Sequence, residues 1–122
     1  MEGYASEKPE ETMPEQLRQF ISELSETIGE ELPVEYLNGT YEIDADDFTL
    51  TFTTQDEVFE IRSIDVRDNT GLGRQIISSI HEYADENSLD VVASNVLDSA
   101  RGFWKKMGYQ EGEAEDEYFR IS

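Results

Sequence analysis

A strand-like run, Val58-Phe59-Glu60-Ile61-Arg62-Ser63-Ile64-Asp65-Val66, is followed almost at once by the turn Asp68-Asn69-Thr70-Gly71-Leu72-Gly73-Arg74. An amphipathic helix leaves that turn, with Ile76, Ile77, Ile80 and Ala84 on one face. A helix that starts on Gly-x-Gly directs backbone N–H groups without intrahelical partners, and the positive end of its dipole, beyond the end of the strand. Such a corner suits a phosphate group. Gly71 and Gly73 let the backbone come close to a ligand that a side chain would push away. The same junction also serves as a plain tight turn, so further features must decide.

One such feature is a change of phase within the run. Phe59 and Ile61 share one parity and Ile64 and Val66 the other, so a flat strand would flip its apolar face midway. An extra residue near Arg62-Ser63 restores the facing as a β-bulge, which bends the strand and frees a backbone N–H. The alternative is a central strand buried on both faces, where parity carries no information.

A second segment lies downstream, Ala100-Arg101-Gly102-Phe103-Trp104-Lys105-Lys106-Met107-Gly108-Tyr109. Ala100, Phe103, Trp104 and Met107 recur at helical spacing, and Gly108 stands where a left-handed stop belongs. The order strand, Gly-x-Gly turn, helix, strand, then Ala-x-x-Phe-Trp-x-x-x-Gly-Tyr resembles the GNAT superfamily of acyl-CoA-dependent N-acyltransferases. The resemblance spans Val58 to Tyr109, under half of the chain.

It implies a donor, acetyl-CoA or another acyl-CoA, as co-substrate, and a small-molecule or protein amine as acceptor. It implies that the backbone around Val66 bonds the pantetheine arm. The amides of Asn69, Gly71, Leu72, Gly73 and Arg74 would hold the pyrophosphate, with Arg74 adding charge. Asn95 would make a second pantetheine contact, and the N–H freed at the bulge would polarise the acyl carbonyl. For the base, the run offers Glu60 and Asp65, and the family pattern favours Glu60. The chain departs from that pattern at Asp68, where Arg or Gln usually precedes the glycines, and at Trp104, where a tyrosine often protonates the departing thiolate. The family's first strand has no counterpart before Pro14. A GNAT-like module that binds CoA or a protein without catalysis is therefore a second reading, and an acidic interaction protein a third.

The 122 residues suffice for one domain, expected over 12–122, behind a disordered acidic tail over 1–11. Without cysteine, neither disulfides nor a thiol nucleophile can form. No apolar run is long enough to cross a membrane, and no secretory leader opens the chain. A soluble cytoplasmic protein is expected.

The formal charge is −20, from 29 acids and 9 bases. Residues 32–60 hold no base, whereas Arg62, Arg67, Arg74, Arg101, Lys105 and Lys106 flank the two motif segments. An anionic chain that keeps its cations in one neighbourhood fits a site for an anion. A nucleic-acid partner is not expected, because phosphate backbones need a basic face. The acidity itself fits a halophile with a cytoplasm of molar salt, where the Debye length falls to ~3 Å.

Along the chain, Pro14 opens a helix carrying Leu17, Phe20, Ile21, Leu24 and Ile28, stopped at Gly29. Pro33–Leu37, Asn38-Gly39 and Thr40–Ile43 form a hairpin signature. Asp44–Asp47 is expected to be a solvated turn rather than a calcium loop, for it lacks the glycine and downstream glutamate of one. Phe48, Leu50 and Phe52 alternate with threonines in a third strand, and Leu89–Ser94 gives a fifth. A last hairpin joins Tyr109–Glu111 to Glu117–Ile121. His81, the lone histidine, is expected to pack or to face solvent rather than to catalyse. The predicted class is α/β (α+β), a GNAT-like mixed and mostly antiparallel sheet with helices on both faces.

Overall fold

The computed structural model describes residues 13–67, 71–114 and 116–121. The expected tail at 1–11 and the turn residues Asp68 and Asn69 lie outside them. Helix α1, Glu15–Ile28, follows Pro14 and ends at Gly29, whose φ of 87° lets its N–H return to the Ser25 carbonyl. Strands β1, Val34–Leu37, and β2, Thr40–Asp44, form the hairpin expected around Asn38 and Gly39, both at positive φ. Strand β3, Phe48–Gln55, and β4, Val58–Val66, make the longest pairing. Helix α2, Leu72–Glu86, then leads to β5, Asp90–Ala93. A 3₁₀ turn, Asp98–Ala100, runs into α3, Arg101–Lys106. Strands β6, Tyr109–Glu111, and β7, Tyr118–Arg120, close the chain.

The seven strands form one mixed sheet in the order β1-β2-β3-β4-β5-β7-β6, in which only β4 and β5 pair in parallel. The predicted α/β (α+β) class, with a mixed and mostly antiparallel sheet, is the one that forms. Among the described residues no helix is long and apolar enough to cross a membrane.

The core lies on one face of the sheet. Phe48, Leu50 and Phe52 of β3 and Phe59 and Ile61 of β4 are buried, with threonines and carboxylates between them on the other face. Rings of Tyr36, Tyr41, Phe52 and Phe59 stack across the four strands at 4.7, 5.3 and 4.8 Å, and Phe59 meets Phe20 of α1 and Tyr83 of α2. Each such pair adds roughly 0.5–1.5 kcal/mol beyond its buried area. Trp104 of α3 packs on Tyr109, which in turn touches His81 of α2.

All three helices therefore gather on this face, and the expected cover on both faces does not form. The reason is topological. The crossovers β4-α2-β5 and β5-α3-β6 join parallel strands and progress in the same direction along the sheet. Right-handed crossovers of that kind place their helices on the same side. The bare face survives because its residues are water-compatible, among them Glu42, Asp44, Thr49, Thr51, Thr53 and Asp65.

Candidate functional site

The site begins where two strands part. β4 and β5 pair only from Val58–Asp90 to Ile61–Ala93, and the Ser94 N–H adds a last rung to the Ile61 carbonyl at 2.9 Å. Beyond it β4 continues to Val66 alongside β3. The other chain bends away through Asn95, at φ 58°, and the Val96 N–H bonds Asp116 instead. A cleft of about 670 Å³ opens between them.

The bulge sits at the head of this opening. Ile61 faces Phe52 and Ser63 faces Thr51, so Arg62 has no partner on β3. This decides between the two readings of the phase change: the extra residue returns Ile64 and Val66 to the side of Phe48 and Leu50. It also sets the backbone. The Arg67 N–H donates to Asp47 at 2.8 Å, so alternation gives Asp65 and Ser63 the bonds to β3. The N–H and C=O groups of Ile64 and Val66 then point the other way, into the cleft, where no strand stands beside them. The Arg62 carbonyl accepts a bond from Asn95 Nδ2 at 3.4 Å, tying the bulge to the far wall.

The start of α2 forms the cleft's second edge. Its first internal bond runs from the Gln75 N–H to the Gly71 carbonyl at 3.1 Å. The N–H groups of Leu72, Gly73 and Arg74 precede it, and all three residues line the cleft with Gly71. Gly71 has φ 87°, a conformation that side-chain-bearing residues resist. A Cβ on Gly73 would meet Val66 and Phe103 at 3.6 and 3.7 Å, ordinary contact, so larger groups there would project into the cleft. Leu72, Phe103 and the buried Trp104 supply apolar wall.

The charge of the lining contrasts with that of the chain. Among the described residues it contains Arg62 and Arg74 and no aspartate or glutamate, in a protein with 29 of them; Asp68, in the turn before Gly71, lies outside the described residues. Neither arginine makes an ion pair among the described residues. The expected group of six cations narrows to these two. Arg67 clamps the Asp44–Asp47 turn, through the Ala45 carbonyl at 2.7 Å and the Asp46 carbonyl at 3.3 Å. Arg101 pairs with Asp98 and Glu111 at 3.1 and 3.6 Å. Lys105 and Lys106 lie in the last turn of α3, outside the lining.

Of the residues singled out in the sequence, Val66, Gly71, Leu72, Gly73, Arg74 and Asn95 come together here. Asn69 lies outside the described residues. Glu60 does not join them. It alternates with the buried Phe59 and Ile61, so its side chain sits on the bare face, where Thr53 Oγ1 donates to its Oε1 at 3.3 Å. Glu60 thus lies outside the lining of the cleft.

His81 packs, as expected. Its Nε2 and the Tyr109 hydroxyl share a hydrogen bond of 2.8 Å. Burial, and then the nearby Arg120, lower the imidazole to about 4, with Asp85 opposing, so the ring is neutral near pH 7. Burial also raises the Tyr109 phenol. Asp85 holds Arg120 at 2.9 Å, and the resulting cluster fastens the last hairpin to α2.

Sequence reasoning missed Ile64 and Ser94 as wall residues, and had Arg62 only as one of six cations near the motifs. Arg62 stands at the phase change itself, which was the available signal. Ser94 Oγ is buried without a partner beside the last rung, a position that only the strand pairing reveals.

No protein-family model matches this sequence, and no curated protein matches it. The crystal structure of the anti-CRISPR protein AcrVA5 is similar, with a TM-score of 0.58 at 15% sequence identity, over 69% of this chain and 99% of that one. At that identity the likeness concerns the fold alone.

Proposed function

We propose that this protein is an acyl-CoA-dependent N-acyltransferase of the GNAT type, passing an acyl group, acetyl in the simplest case, to a small-molecule or protein amine. The observation that carries this reading is the parted β4–β5 pair, which leaves the backbone groups of Ile64 and Val66 beside a helix start, in a cleft whose described lining has two arginines and no carboxylate. A pantetheine arm is a chain of amides and can lie along β4 as a short extra strand. Its pyrophosphate then falls on the N–H groups of Leu72, Gly73 and Arg74. The bulge supplies an N–H for the thioester oxygen as the amine attacks, the C–N bond forms and the C–S bond breaks. In a chain of charge −20, a wall whose described residues include no acid suits a ligand with several phosphate charges. The acidic exterior disfavours nucleic acid as a partner, and a cytoplasmic location is where acyl-CoA would be met.

Trp104 and the placement of Glu60 favour a second reading, a module that binds CoA without turnover. An indole donates a hydrogen bond but is no acid near neutral pH. A purely acidic interaction protein, the third reading, makes no use of the cleft. Calorimetric titration with acetyl-CoA in molar KCl tests the proposal. Saturable binding weakened by Arg74→Glu and by Gly73→Trp is expected, followed by thioester consumption with a panel of amines. Absence of binding at millimolar acetyl-CoA would overturn it, and binding without consumption would select the second reading.

A further inference from the structure

The two arginines of the cleft stand at opposite ends of it. Arg74 is on the first turn of α2, where the pyrophosphate is placed. Arg62 is at the bulge, where the thioester is placed. At about 3.3 Å per strand residue, ~13 Å of β4 separates it from Val66, too far for it to serve phosphates held at the helix start. Arg62 is exposed, and it makes no ion pair among the described residues although Glu60 is close by in the chain. Its carbonyl is engaged by Asn95 Nδ2, but its guanidinium is not. Across the gap Ser94 lines the same end of the cleft, and its buried Oγ has no partner among the described residues. The buried Ile61 and Ala93 close the pair behind them. The head of the cleft therefore offers a cation on one wall and a hydroxyl on the other to whatever extends beyond the thioester carbonyl.

We infer that the donor is a CoA thioester whose short acyl chain ends in a carboxylate, of the malonyl or succinyl kind, and that Arg62 selects it. The inference rests on the acyltransferase reading and names its donor class. The pantetheine arm reaches the bulge from the Val66 side, so the acyl chain leaves the carbonyl on the other side, toward Ile61 and Ser94. A terminal carboxylate there lies within the swing of Arg62, whose planar fork can hold both oxygens. It also supplies the acceptor that Ser94 Oγ lacks, and an unmatched buried hydroxyl is costly to keep. A methyl group would use neither. The rung from the Ser94 N–H to the Ile61 carbonyl ends the cleft, which limits the chain to a few carbons. In the transfer the amine nitrogen bonds the thioester carbon and the C–S bond breaks. The proton lost by nitrogen passes through solvent to the CoA thiolate. The product is an amide ending in a free carboxylate, so a cationic amine leaves as an anion.

Calorimetric titration in molar KCl tests this by comparing thioesters of equal carbon number, malonyl-CoA with propionyl-CoA and succinyl-CoA with butyryl-CoA. No amine is present, so an acceptor cannot account for the result. At least one charged thioester should bind about three- to tenfold more tightly than its neutral counterpart, as a partly exposed charge-assisted contact gives. Arg62→Gln should erase that ratio. Arg74→Gln, at the phosphate end, should weaken all four and leave the ratio standing. Equal affinities within both pairs in the wild-type protein overturn the inference and leave the donor site intact. A ratio that survives Arg62→Gln overturns the role given to Arg62. Failure of all four to bind at millimolar concentration overturns the donor site, and the inference with it.

Discussion

Deleting Arg62 isolates the bulge from everything else in the fold. With that residue gone, Ile61, Ser63, Ile64, Asp65 and Val66 alternate without interruption. They keep their partners Phe52, Thr51, Leu50, Thr49 and Phe48, so no core side chain changes face. The identifiable loss is the bond from Asn95 Nδ2 to the Arg62 carbonyl, long at 3.4 Å and exposed, worth no more than ~1 kcal/mol. The deletion variant should therefore fold, with a melting temperature lowered by only a few degrees. Its chemistry should suffer far more, since β4 straightens and the freed N–H disappears. Loss of one donor to a developing oxyanion costs about 10²–10³ in kcat, or ~2.7–4 kcal/mol. Arg62→Ala keeps the bulge and removes one exposed cation, which is worth under ~1 kcal/mol, so its turnover should fall less than about fivefold. The assay is thioester consumption under saturating acetyl-CoA and amine, paired with thermal melts. Wild-type turnover in the deletion variant refutes the role given to the bulge. A deletion that unfolds, while Arg62→Ala does not, refutes the claim that the extra residue only adjusts register.

Two further predictions concern the whole molecule. Diluting KCl from molar to millimolar should unfold the protein, because self-repulsion among the carboxylates of a −20 chain goes unscreened; an unchanged circular dichroism spectrum refutes this. His81 should make stability pH-dependent. Its folded value of about 4 lies below the ordinary 6.5, so the unfolded chain takes up the proton first. The stabilisation is complete above about pH 6.5 and is lost as pH falls toward 4. The full shift corresponds to about 3 kcal/mol, trimmed by solvent screening of this half-exposed ring to about 1–2 kcal/mol. His81→Phe should flatten the melting temperature across that window relative to wild type, and parallel pH curves for the two proteins would refute the assignment.

Much of this architecture can be read in the residues because it depends on local pattern. The parity switch between Ile61 and Ile64 places the bulge to within a residue. Asn38-Gly39 specifies its hairpin, and the spacing of Leu17, Phe20 and Leu24 specifies α1 with its stop at Gly29. The facing of Glu60 was equally legible, since a residue between Phe59 and Ile61 on a half-bare sheet has only one direction to point. What could not be read depends on pairing at a distance. Strands as short as β6 and β7 carry no signal for their order, so the position of β7 between β5 and β6 emerges only on folding. The capture of Arg67 by carbonyls more than 20 residues upstream is of the same kind. A count of cations near a motif cannot tell a ligand-facing arginine from one that fastens a turn.

The distribution of charge then follows from two demands on one chain. A shell of carboxylates would keep the protein hydrated in concentrated salt, but any carboxylate in the cleft would oppose a phosphate-bearing ligand at close range, where salt screens little. The sheet reconciles them through its alternation. Along β4 the acids Glu60 and Asp65 fall on the bare face, while the bulge gives the cleft the backbone of Ile64 and Val66. One inserted residue thus separates the acidic surface from the wall proposed to meet the donor. Moving an acid across that divide, as in Ile64→Asp, should abolish acetyl-CoA binding while Asp65→Asn leaves it intact. Equal effects of the two would show that the facing of β4 does not govern the site.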